Sequence, residues 1–227
     1  MSLHVSCPRS WRSRQFGLRI DTSYIYGEHS RAHLKIFRDM LTQILTYHQV
    51  MPAYLDFVSV FGAQSEPHDL RFAGFREQVT LADPPRGPMM PSLGRSGRQY
   101  QLCYNLKCVT LKVEDQTNSK LNEWSIRQAA IHHQFDLVEG TTLWIVTKGN
   151  LDLQERFKEL TGKTGRPEDK AFGTAEECFR SSLAAHLLYC HWSTEDWRWY
   201  IRWLERVIED EVSLACIHPA IIFNLLM

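Results

Sequence analysis

The stretch WSIRQAAIHHQFDLVEGTTLWIVTK, residues 124–148, decides how this chain folds. Both its ends are rich in aromatic and β-branched residues, and Glu139-Gly140 between them is a turn signal. That pattern predicts a long hairpin with strands over 124–136 and 142–148. The first strand carries Trp124, Arg127, His132, His133 and Asp136, residue types that also build active sites and metal centres. Alternation sets their geometry: His132 shares a face with Gln134 and Asp136, and His133 with Ile131 and Phe135. Two histidines that point opposite ways do not chelate one ion, and His132 with Asp136 falls two ligands short of a tetrahedral site. The expectation is a half-buried strand with one polar edge, rather than a ligand set or a catalytic base.

Outward from the hairpin, Tyr100 to Val113 is strand-like and Glu114 to Lys120 is a polar turn. Residues 83–98, DPPRGPMMPSLGRSGR, hold four of the nine prolines and three of the twelve glycines. They form either a linker dividing an N-terminal segment from the main sheet or a long surface connection inside one domain. Tyr54 to Phe61, aromatic and β-branched and closed by Gly62, reads as a further strand. Before it, Leu34, Phe37, Leu41, Ile44, Leu45 and His48 recur at three and four residues, predicting a helix over about 30–50 that ends before Pro52.

Beyond the hairpin the period lengthens. A short helix is expected over 150–160, then a mobile loop over 161–167. Thr174 with Glu177 fits a capping box opening a helix whose apolar face is Phe179, Leu183, Leu187 and Cys190. Ser193 with Asp196 repeats the signal for a second helix carrying Trp197, Ile201, Leu204 and Ile208. The predicted class is α+β: a mostly antiparallel mixed sheet with packed helices and two C-terminal helices. The expected divisions are a flexible segment 1–20, an α+β domain 21–192, the start of a stalk-like helix over 193–212 and an apolar tail 213–227.

A chain of 227 residues, 44% hydrophobic, buries a sizeable core. Lys plus Arg and Asp plus Glu balance at 26 each, so no global field calls for nucleic acid or an anionic membrane. Arg9, Arg12 and Arg14 stand without the apolar run of a secretory signal, and Pro8 and Gly17 interrupt a transit-type helix, so a cytoplasmic location is expected. The six cysteines are scattered with no CxxC pair, the usage of reduced thiols. No window reaches the roughly 18–20 apolar residues of a spanning helix; the nearest is the terminal IHPAIIFNLLM.

Several constellations invite a chemical reading. Gly162-Lys163-Thr164 resembles the end of a phosphate-binding loop, but Phe157 stands where that motif needs glycine. Gly94-Arg-Ser-Gly-Arg98 either wraps an anion with its amides or is a solvated basic loop. Ser96 lacks the frame of a nucleophile elbow. Cys103 and Cys108 face opposite sides of their strand. The cluster of Trp192, Trp197, Trp199, Tyr200 and Trp203 suits packing against two neighbours better than stacking on bases; Trp197 and Trp203 are the candidate partner contacts. Glu205, Glu209, Asp210 and Glu211 form an acidic helix end, a solvated face or a weak site for a hard cation such as Mg2+. No nucleophile, base and orienting group assemble, so neither an enzyme, a required cofactor nor a small-molecule substrate is expected.

The run WSIRQAAIHHQFDLVEGTTLWIVTKGN, with the block FGTAEECFRSSLAAHLLYCHWSTEDWRWYIRWLE, resembles fungal proteins with a CorA-like magnesium transporter domain. Upstream, YLDFVSVFGAQ, LRFAGFREQ and LGRSGRQYQLCYNLK extend the likeness over about residues 20–211. The resemblance implies the cytosolic N-terminal domain of a divalent-cation transporter, with the helix from Trp197 to Glu211 beginning its stalk. It also implies partners: further copies of the chain or a full-length CorA-like paralogue. The family's pore, with its Gly-Met-Asn motif and membrane helices, has no counterpart in this sequence. The expected role is therefore a non-catalytic regulatory or assembly domain, or else a free-standing interaction module. An early stop or a retained intron would supply the apolar tail.

Overall fold

The computed structural model describes residues 20–27, 32–62, 72–85, 87–111, 124–148 and 152–225. The N-terminal segment 1–19 and the expected turn Glu114 to Lys120 lie outside them. The core is one five-stranded sheet of order β1-β5-β4-β3-β2, made of β1 (Ile20–Tyr26), β2 (Phe75–Thr80), β3 (Gln99–Leu111), β4 (Trp124–Asp136) and β5 (Thr142–Lys148). β1 runs parallel to β5 and every other pairing is antiparallel. The fold is thus an α+β fold with a mostly antiparallel mixed sheet. The β4–β5 hairpin pairs Phe135 with Thr142 and turns through Gly140, whose φ of 65° is left-handed and suits glycine.

Helices cover both faces. On one lie α1 (Arg38–Tyr47) and α2 (Tyr54–Ser59); on the other lie α3 (Asp152–Thr161) and α4 (Ala175–Thr194). Burial on both sides explains why β4 is out of solvent from Gln128 to Asp136, deeper than the half-buried strand expected from its polar residues. Residues 83–98 join the adjacent strands β2 and β3, so they are a connection within one sheet.

Four local expectations are corrected. Tyr54 to Ser59 is a helix, not a strand: Tyr54, Phe57 and Val58 are its buried residues, at the i, i+3, i+4 spacing of one helical face. Burial of that face outweighs the strand propensity of the aromatic run. Helix α1 begins only at Arg38, because Phe37 is extended (φ −75°, ψ 147°) and Lys35 N–H donates to the Tyr26 carbonyl, drawing the preceding chain against β1. The Thr174 capping box is present with both bonds, yet Phe179, Leu183, Leu187 and Cys190 are exposed; α4 buries Cys178, Ser181, Ser182, Ala185, Tyr189 and Trp192 instead. Small residues lead that inner face because rings from the sheet already fill the space beneath it. Finally, Ser193 lies inside α4 and donates to the Cys190 carbonyl rather than capping the next helix. Helix α5 (Trp197–Leu225) begins after Asp196, which has a left-handed φ of 63°, and it continues past residue 212.

Candidate functional site

The two histidines of β4 separate as alternation requires, and each is 0% exposed. His132 faces the α1–α2 layer. Its Nε2 lies 3.0 Å from Gln101 Oε1, which also accepts the Met51 amide at 2.8 Å, while Gln101 Nε2 donates to the Gln49 carbonyl. Tyr54 packs 5.3 Å from the His132 ring; its hydroxyl donates toward the Ala130 and Ile145 carbonyls and lies 3.1 Å from Thr147 Oγ1. Burial, with Arg95 and His48 adding to it, pushes the His132 pKa down to about 3. The ring is neutral.

His133 faces α4. It stacks on Trp144 at 4.0 Å and 16°, and its Nδ1 lies 2.9 Å from His186 Nε2 on α4. His186 Nδ1 lies 2.6 Å from the Tyr104 hydroxyl on β3, completing a chain Tyr104–His186–His133. Two proton orders satisfy it: either Tyr104 donates to His186 and His186 to His133, or both donations reverse. Burial drives His133 well below the ordinary histidine value, with His186 and His132 adding to it, and lowers half-buried His186 to about 4.

A histidine between two titratable partners would suit acid–base chemistry if a substrate had access. Neither of two surface recesses includes these histidines. One, of about 10 Å³, is bordered by Asp21, Arg95, Gln134, Asp136 and Thr142; the other, of about 280 Å³, by Cys108, Arg127, Arg156, Trp192, Glu195 and Asp196. Sequence reasoning singled out His132, His133 and Asp136 but missed His186, which lies beside Leu187 on a helix whose inner face was misassigned.

The loop Gly94 to Arg98 is neither solvated nor a site for an external anion at its centre. Ser96 N–H donates to Asp136 Oδ2 at 2.7 Å and its hydroxyl to the same carboxylate, which also accepts the Val138 and Glu139 amides. The anion the loop wraps is the chain's own Asp136. Arg95 is only 6% exposed and donates to the His48 carbonyl. Cys103 and Cys108 lie in opposite cores; burial raises the Cys103 thiol to about 11, so it is a protonated, inert thiol at neutral pH.

The sequence matches the family profile of CorA-like transporters over residues 11–216. The chain belongs to the CorA-like family. No curated protein and no solved structure is significantly similar to it. In this CorA-like chain no helix among the described residues is long and apolar enough to cross a membrane. Glu205, Glu209, Asp210 and Glu211 are all exposed on α5, and among the described residues no three His, Cys, Asp or Glu side chains converge to hold a metal. Trp197 and Trp203 are half-buried: Trp197 Nε1 donates to the Ser193 carbonyl and Trp203 stacks on Tyr200 at 5.6 Å. The 53% exposed indole is Trp199, flanked by the guanidinium groups of Arg198 and Arg202.

Proposed function

We propose that this chain is a non-catalytic regulatory and assembly domain of a CorA-like divalent-cation transport system, acting in the cytoplasm on further copies of itself or on a full-length paralogue. The family match over residues 11–216 carries the reading. Supporting it, α5 leaves the sheet with Ile201, Ile208 and Val212 each more than half exposed, a face available to another helix. Between adjoining copies of α5, Glu205, Glu209, Asp210 and Glu211 would supply hard oxygen ligands to Mg2+ that one helix does not gather alone.

Light scattering on the purified chain, with and without about 10 mM magnesium, tests this, the concentration exceeding the roughly millimolar range of weak carboxylate sites. The expected result is a defined oligomer that forms with magnesium and is lost in Glu205→Gln/Glu209→Gln. A monomer indifferent to magnesium overturns the metal-responsive reading. It would favour the second one, a free-standing interaction module, which rests on the exposed α4 stripe of Phe179, Leu183 and Leu187.

A further inference from the structure

We propose that His133 and His186 form a proton-operated clamp, which holds α4 on the sheet while both rings are neutral and lets α4, with α5 attached, disengage as the medium acidifies. The input is a proton, independent of any metal.

The geometry carries the argument. His186 is the side chain of α4 that bonds to two strands at once, reaching Tyr104 on β3 and His133 on β4. A further polar link from α4 to the sheet, Tyr189 to Tyr24 on β1, is long at 3.5 Å. Both rings sit among aromatics. Trp144 on β5 stacks on His133 and lies 4.7 Å from His186; Tyr100 on β3 and Phe135 on β4 close the sides of His133. Among the described residues the titratable groups facing the pair are Tyr100 and Tyr104 from β3 and Cys190 one turn along α4 beside Tyr104; His132, on the opposite face of β4, acts on His133 only through its charge. Among the described residues no carboxylate is in hydrogen-bond or ring contact with either ring to balance a positive charge.

A ring kept neutral when docked and free to take a proton at the ordinary value of about 6.5 when released couples docking to pH. Between pH 7.5 and 5.5 each such ring raises the released fraction about tenfold, and two together about a hundredfold. Along the inner face of α4 the first half is small, with Cys178, Ser181, Ser182 and Ala185, whereas Tyr189 and Trp192 anchor the other end in the core, so opening is expected to start from the first half.

Hydrogen exchange on the full chain at pH 7.5 and 5.5, corrected for the intrinsic pH dependence of exchange, reads the opening directly. Amides of α4 are expected to open about a hundredfold more often at pH 5.5 while those of β4 and β5 stay better protected. His186→Gln, which keeps an amide donor and acceptor at that place, is expected to leave about a tenfold change. Opening of α4 that ignores pH, or that coincides with the opening of β4 and β5 at both pH values, overturns the proposal. Should His186→Gln fail to fold, ring signals of the unaltered chain decide by NMR. Folded-state His133 and His186 are expected to stay neutral to pH 5.5, and a titration near 6.5 in the folded form overturns it.

Discussion

His132 and His133 are the same residue on consecutive positions of β4, equally buried, yet they do different work. On the α1–α2 face His132 joins an amide network through Gln101 that pins the Gln49–Met51 corner. On the other face His133 lies in an aromatic box and reaches a second imidazole on a helix. A peptide's half-turn thus exchanges a loop anchor for a helix clamp. The character of a buried polar residue is set by the layer it meets, not by its own chemistry.

Acid separates the two faces with the largest effect. Both faces hold imidazoles with folded pKa values depressed below the unfolded value of about 6.5, so the unfolded chain binds more protons as pH falls. Their stabilising contribution is whole above about pH 6.5 and is lost as pH drops toward the folded values near 3 and 4. From pH 7.5 to 5.5 the loss is about 1.4 kcal/mol for each ring, roughly 4 kcal/mol for the three. Urea midpoints at the two pH values measure it. His132→Gln should remove about a third of the loss, and His133→Gln with His186→Gln about two thirds; equal shares would erase the contrast.

Removing a hydroxyl sharpens it further. Tyr54→Phe leaves the buried Thr147 hydroxyl without its partner, and a cost of about 1–3 kcal/mol is expected from denaturant unfolding. Tyr104→Phe, at a half-buried position, should cost less, about 0.5–1.5 kcal/mol, while weakening the pH dependence of α4. Smallest is Thr174→Ala, which removes the reciprocal cap of α4 away from both histidines. About 1 kcal/mol is expected in thermal or urea unfolding, unchanged between pH 7.5 and 5.5.

The central hairpin and β3 were legible because long alternating runs leave few alternatives. The opposition of His132 and His133, and of Cys103 and Cys108, followed from the same period. Strands β1 and β2 escaped notice, being short edge strands whose polar positions, such as Asp21, Arg76 and Glu77, dilute the pattern. Helix α2 was hidden because Tyr54, Phe57 and Val58 satisfy a helical face and a strand composition at once. The inner face of α4 differs from the expected Phe179, Leu183 and Leu187 stripe for a physical reason: rings from the sheet occupy the volume beneath its first half, so the helix approaches there on Cys178, Ser181, Ser182 and Ala185, and it buries Tyr189 and Trp192 at its other end. His186 fell on neither expected face, so the clamp became visible only when strand and helix were brought together.

The left-handed Asp196 that parts α4 from α5 gives the chain a lever. Helix α5 has 29 residues, about 43 Å at the ordinary rise per residue, and it meets the sheet in its first turn, where Tyr200 packs on Trp124. A swing of about 10° at this one residue would carry the far end roughly 7.5 Å, more than the pitch of an α-helix. Whatever grips the end of α5 therefore reads small rearrangements of the sheet layer as displacements of a whole helical turn.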